Sequence, residues 1–300
     1  MVDKLSILEA AMFTPMGDGT WGLPLMLWGD PGVSKSATIL ALGRRWRLPI
    51  EELCPGERGE GQFGVVPVPS GTNGEAVLSY PPPEWVRNLR TEHGECGIVF
   101  LDEITTAPPA LQPALLGLIQ RRRIGAHAFG PRVRVLGAAN PSGQAAGGWD
   151  LAPPVANRLG HMDWGSPDAE AWGAWLIGGQ EDEAAHDPLA REAEVWGQWP
   201  AAWAGARGIV SGFIRRRPEL LHKMPPDGDP AQSRAWPSPR TGEYAARALA
   251  AELLGVRGPL QIPLETVVDA RGTERHRRVT CCLAYRATGG SLCFACPING

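Results

Sequence analysis

Three groups of residues in this chain have types and spacings suited to phosphate chemistry. The first is Gly29-Asp30-Pro31-Gly32-Val33-Ser34-Lys35-Ser36. A glycine-containing turn that runs into a helix presents backbone N–H groups at the positive end of the helix dipole, where phosphate binds. Lys35 adds a full charge aimed at β- and γ-phosphates, and the Ser36 hydroxyl is placed to ligate Mg²⁺. The second group is Asp102-Glu103, at the end of the apolar run Gly97-Ile98-Val99-Phe100-Leu101. Asp102 would hold Mg²⁺, directly or through water, while Glu103 would polarise a water for attack on the γ-phosphate. The third is Asn140, which ends Val133-Arg134-Val135-Leu136-Gly137-Ala138-Ala139 and can hydrogen-bond both the γ-phosphate and that water. The set has the parts for hydrolysing a nucleoside triphosphate.

Each group has a plainer reading. Gly29–Ser36 fits the Walker A pattern except at Ser34, where glycine normally precedes the lysine, and it could be a Gly/Pro-rich turn with a chance Lys-Ser. If position 34 takes φ > 0, its Cβ costs free energy. Adjacent acids at a strand end also cap helices, and Asn140-Pro141 also begins turns. The order of the motifs and their separation decide the matter, because each supplies the context that the others need.

The elements that must position these residues can be read from apolar patterning. Leu23–Trp28 is a buried strand before the phosphate loop and Ala37–Leu42 starts the helix after it. Gly97–Leu101 is a central parallel strand whose carboxyl end points at a ligand crevice, and Pro131–Asn140 is another. A short amphipathic helix over 5–13 precedes them. Gln62–Pro69 and Val77–Tyr80 form two extended pieces about a tight loop, either a gripping hairpin or a surface decoration. Helix 110–120 leads into a second hairpin with a basic arm, Arg121-Arg122-Arg123. From 165 to 235 the chain becomes helical, over 168–177, 190–204 and 209–217. Trp172, Trp175, Trp196, Trp199 and Trp203 recur there at the spacing of a packed stripe.

Composition sets the bounds. Three hundred residues, 43% hydrophobic and 20% charged, can bury a sizeable core. A net charge of −3 offers no global field for nucleic acid or anionic membrane, and both basic triplets, Arg121–Arg123 and Arg215–Arg217, read first as solvated faces. No apolar run reaches membrane-spanning length and the start lacks a signal-peptide core, so the expectation is a cytoplasmic protein without membrane contact. Cys281, Cys282, Cys293 and Cys296 crowd the end of the chain, but the adjacent pair is poorly spaced for zinc.

The ordered set GDPGVSKS, IVFLDE, VRVLGAAN and GGWDLAPPVANRL resembles AAA+ ATPases over about residues 5–250, most closely the MoxR-like branch. The resemblance implies an α/β P-loop NTPase fold with a three-layer parallel sheet and a small helical lid. It divides the chain into a nucleotide-binding domain over 1–164, a lid over 165–255 and a tail of uncertain structure over 256–300. It implies ATP and Mg²⁺ as ligands, with Gly29 to Ser36 and Asp102 binding them and Ser36 and Asp102 ligating the metal. Asn140 becomes sensor 1, beside Glu103. Arg158 becomes the finger that reaches a neighbouring subunit's nucleotide, and Arg240, in Trp236-Pro237-Ser238-Pro239-Arg240-Thr241, becomes sensor 2, reaching the γ-phosphate from the lid. The implied assembly is a ring, a homo-hexamer, in which hydrolysis moves the lid and drives the two inserts against a protein client, often one with a von Willebrand A domain. A nucleic-acid motor and a weakly hydrolysing ATP-dependent switch stand as alternatives.

Overall fold

The computed structural model describes residues 4–57, 63, 67–71, 77–141, 148–167, 169–170, 172–173, 185–254, 264–268 and 274–278. Five short strands form one parallel sheet in the order β2 (Ile50–Leu53), β5 (Cys96–Leu101), β8 (Arg132–Ala139), β1 (Leu25–Trp28) and β9 (Gly160–Asp163), the three central ones largely apolar. The register aligns Leu25 with Leu136 on one side and Gly160 on the other, and Trp28 with Ala139 and Asp163. All four β1 residues are buried, as expected of a parallel strand covered on both faces. From β1 the chain travels to the far edge at β2, returns through β5 and β8, then crosses to β9. Direction reverses at β1, so the crevice beyond the carboxyl ends of β1, β8 and β5 is where such a sheet takes a ligand.

Alternation along the strands divides the core in two. Met26, Trp28, Val99, Leu101, Val133 and Val135 face α4 (Gln112–Arg121) and α5 (Pro153–Ala156). Leu25, Leu27, Ile98, Phe100, Leu136 and Ala138 face α1 (Lys4–Met12), α2 (Lys35–Arg45), α6 (Pro188–Arg216) and α7 (Pro239–Leu253). Helices therefore cover both faces of the sheet, giving three layers. A further short helix, α3 (Glu84–Arg87), lies before β5.

The helical segments differ from their sequence expectation in one respect. The stretches expected at 190–204 and 209–217 are a single helix of 29 residues, α6, with Pro200 inside it. Its start is well specified: the Asp187 carboxylate accepts the Leu189 N–H at 2.9 Å and Pro188 occupies the first turn. The tryptophan stripe is only partly a core stripe. Trp199 is 7% exposed and stacks on Trp203 with centroids 6.1 Å apart, whereas Trp196 is 58% exposed and Trp172 also faces outward. Trp175 and most of the helix expected at 168–177 fall outside the described residues.

Polar contacts fix α6 and α7 to the sheet. Arg134 on β8 is completely buried and pairs with Glu192 of α6, which also takes Arg132 at 2.8 Å. Arg247 of α7 donates to the Pro15 carbonyl at 2.7 Å and lies 4.8 Å above the Trp203 ring. These helices share one apolar cluster with β1, β5 and β8.

Both hairpins form. β3 (Val68–Ser70) pairs antiparallel with β4 (Val77–Ser79), and β6 (Arg123–Ile124) with β7 (His127–Ala128). The His127 ring bonds the Tyr80 carbonyl and joins the two hairpins. The triplet Arg121–Arg123 is not a basic arm, because Arg122 turns inward. At φ 49° it caps α4, donating to the carbonyls of Gly22 at 2.7 Å and Ile119 at 3.1 Å. In the tail, β10 (Leu264–Val268) pairs antiparallel with β11 (Glu274–Arg278), and Cys281, Cys282, Cys293 and Cys296 lie outside the described residues. Among the described residues no helix is long and apolar enough to cross a membrane, and no His/Cys/Asp/Glu cluster could hold a metal by itself.

Candidate functional site

The phosphate loop connects β1 directly to α2, and its backbone follows from close packing and handedness. Gly29 passes against the Trp164 carbonyl, where a Cβ would fall 2.1 Å from that oxygen, so only glycine fits. Gly32 has φ +81° and Ser34 has φ 65°, ψ 27°. The residue before the lysine does adopt the left-handed conformation, and Ser34 carries a Cβ there at a cost of about 1–2 kcal/mol. The Trp164 indole N–H donates to the Val33 carbonyl at 3.1 Å, tying the loop to the chain just after β9.

The sequence-identified residues at the carboxyl ends of β1, β5 and β8 converge. The Lys35 ammonium, itself buried, donates to the carbonyls of Gly29 at 2.7 Å and Asp30 at 2.9 Å and to Asn140 Oδ1 at 2.9 Å. Burial pulls its pKa below the ordinary value, against the opposing charges of Asp102, Asp30 and Glu103. The Ser36 hydroxyl donates to Asp102 Oδ2 at 2.7 Å, while Asp102 Oδ1 accepts the Glu103 N–H at 3.0 Å. Asp102 is thereby held from both sides. Glu103 is exposed and has φ 47°, a second non-glycine residue in the left-handed region, with its carbonyl accepting from Thr106 N–H and Oγ1 at 2.7 and 2.8 Å. Strained backbone of this kind collects at working sites when neighbouring bonds enforce it.

Arg158 and Arg240 lie elsewhere. Arg158 precedes β9, whose first residue is level with Leu25, so it sits at the amino end of the sheet and the phosphate loop at the carboxyl end. Its guanidinium donates to Gln120 Oε1 and to the Pro154 carbonyl, both at 2.6 Å. Arg240, in the first turn of α7, donates to Asn157 Oδ1 at 3.3 Å. The same oxygen accepts from Ser238, the residue that caps α7, at 3.0 Å. Arg240, expected to reach the γ-phosphate from the lid, stands beside Arg158 rather than beside Lys35 and Asp102 of the same chain. Desolvation lowers the Arg158 pKa, and the charges of Arg240 and Arg121 lower it further.

Asn157, Ser238 and Gln120, which position these arginines, were not legible from sequence; only their adjacency to arginines marks them. A second group that no motif announced surrounds Trp28. Its indole N–H donates to His161 Nδ1 at 2.7 Å, His161 Nε2 bonds the Ala156 carbonyl at 2.9 Å, and the Arg234 guanidinium lies 4.2 Å over the indole while pairing with Asp163 at 2.8 Å. With Thr105, Pro141 and Asp150, Trp28 and Arg234 line a cavity of about 250 Å³ beside the carboxyl ends of the strands.

Sheet order, three layers and a phosphate loop at the reversal point define an α/β P-loop fold of the AAA+ kind. One solved structure that shares it, a candidate ATPase from Cytophaga hutchinsonii, superposes with a TM-score of 0.51 over 83% of this chain and 72% of its own, at 13% identity. No protein-family model matches the chain, and no curated protein matches it.

Proposed function

We propose that the protein is an ATP-hydrolysing AAA+ module of the MoxR type, working as a ring, by resemblance a homo-hexamer, that remodels a protein client. The observation that carries this reading is the convergence of Lys35, Asn140, Ser36 and Asp102, joined by the 2.9 Å Lys35–Asn140 and 2.7 Å Ser36–Asp102 bonds. In this reading residues 29–36 cradle the triphosphate, Asn140 orients the γ-phosphate and the lytic water, and Glu103 takes the water's proton. Two adjacent hard oxygens, from Ser36 and Asp102, suit Mg²⁺, which keeps water and phosphate as its remaining ligands. When bound, the ion would neutralise phosphate charge as the bond to the leaving oxygen breaks. Arg158, at the far end of the sheet, would serve a neighbouring chain, which is why the reading needs a ring. By resemblance residues 165–255 are the lid, whose helices α6 and α7 share a core with the sheet.

The resemblance supplies the client as a protein, including those with von Willebrand A domains. Nucleic acid is disfavoured by the inward turn of Arg122 and the acidic balance. Phosphate release from MgATP tests the reading: it should be measurable in the natural protein, fall at least a hundredfold in Lys35→Ala and Glu103→Gln, and vanish with EDTA. A Glu103→Gln protein should retain ATP and capture a client.

One specific observation favours a second reading, a switch that binds ATP and barely turns it over. Ser34 adds a Cβ on the strained side of the phosphate loop. Equal, near-zero phosphate release by the natural protein and Glu103→Gln, with faster release by Ser34→Gly, would select the switch.

A further inference from the structure

Arg121 lies next to Gln120 at the carboxyl end of α4, and Gln120 is the residue that holds the Arg158 guanidinium at 2.6 Å. Arg240 approaches the same place from α7 on the Asn157 carboxamide, itself buried against Ser238. Three separate elements, the end of α4, the turn before β9 and the start of α7, therefore bring Arg121, Arg158 and Arg240 together. None of the three has a carboxylate partner among the described residues. Two acids in this region are otherwise engaged: Glu243 bonds Arg247 at 2.7 Å, and Asp18 accepts from Thr20 at 2.7 and 3.0 Å while facing the buried Arg122. Like charges gathered on one partly covered surface repel each other without a counter-charge. A patch built this way, and held by neutral amides rather than carboxylates, is complementary to a multiply charged anion.

We infer that Arg121, Arg158 and Arg240 form one anion-reading surface for the phosphates of a nucleotide held by a second copy of this chain, with Arg121 a third trans-acting catalytic residue. This rests on the ATPase reading above. Arg158 lies at the amino end of its own sheet with Arg240 and Arg121 beside it, so the phosphates they can meet are those on the adjoining copy's loop. Arg158 is fixed by Gln120 and Pro154, Arg240 is steadied by Asn157, and the exposed Arg121 completes the fork. As negative charge develops on the terminal phosphate and the leaving oxygen, each added guanidinium lowers the barrier.

The test uses full-length protein and phosphate release from MgATP, with binding of a fluorescent ATP analogue measured in parallel. Arg121→Ala should lower turnover roughly tenfold to a thousandfold while the analogue still binds. Arg121→Lys should recover part of the rate, and urea midpoints should match the natural protein. The decisive arm is mixing. Lys35→Ala chains cannot hold the nucleotide but carry an intact arginine surface, so adding them to Arg121→Ala chains should restore turnover above the sum of the two alone. If natural protein hydrolyses ATP but Arg121→Ala is equally active, or its loss is not rescued by Lys35→Ala chains, the inference is wrong and the ATPase reading stands. If the natural protein releases no phosphate, the ATPase reading itself fails.

Discussion

At the scale of single residues, two of the non-glycine side chains that sit on a left-handed backbone belong to the candidate site, Ser34 at φ 65° and Glu103 at φ 47°. Ser34 makes no side-chain capping bond to offset this, so Ser34→Gly removes the steric cost and gives back part of it as unfolded-chain entropy. The expected net is a gain of about 0.5 kcal/mol, and Ser34→Val should lose more than 1 kcal/mol, both read from urea denaturation midpoints. His161 gives a prediction in pH. Its Nδ1 accepts from Trp28 while its Nε2 faces a carbonyl, an arrangement that requires the neutral ring, and burial lowers its pKa from 6.5 to about 4. The unfolded chain takes up a proton near pH 6.5 and the folded chain does not until about pH 4, so acidification favours unfolding across that window. Stability should fall by about 3 kcal/mol from pH 6.5 to 4, and His161→Gln should flatten that slope in urea titrations at pH 7, 6 and 5.

At the scale of elements, the joint between α6 and β8 is the Arg134–Glu192 pair, sealed from water. Removing one partner strands the other charge, so Glu192→Gln should cost about 3–5 kcal/mol in urea unfolding, whereas Arg134→Met combined with Glu192→Leu should recover most of it. The strand reads as buried in the sequence, but the joint itself was invisible there, because nothing in the Arg-Val alternation points to Glu192 as a partner 58 residues away. Only the knowledge that α6 covers one face of the strand turns Arg134 into a core residue. β1, β5 and β8 were legible, because they are near-continuous apolar runs that end on the residues with chemistry to do, whereas β2 and β9 carry no such run and were not. The phosphate loop, Asp102 and Asn140 were legible for the same reason: short-range spacing dictates their geometry. Arg240 was not, because its place depends on where α7 docks, and Ser238 and Asn157 decide that across 81 residues of chain. The sequence already ran a helix through Pro200, but it did not join 190–204 to 209–217, because Gly205 and Gly208 weaken the helical pattern between them.

At the scale of the molecule, α6 and α7 are built into the same core as the sheet, so a swinging lid hinged freely on its own sheet is not what the packing favours. Motion during turnover would fall instead between copies. Specific activity per chain should accordingly rise with protein concentration and level off where sedimentation reports full assembly, while Arg158→Ala protein stays inactive at every concentration unless mixed with Lys35→Ala chains. The phosphate loop and Arg158 occupy opposite ends of parallel strands, since Gly160 is level with Leu25 and Asp163 with Trp28. Two chains related by a twofold axis present like surfaces to each other, and such a pair would bring the head of one sheet to the head of the other. Head must instead meet tail, and every joined copy then offers one fresh end, so growth stops only when the circle shuts and otherwise runs on as a filament.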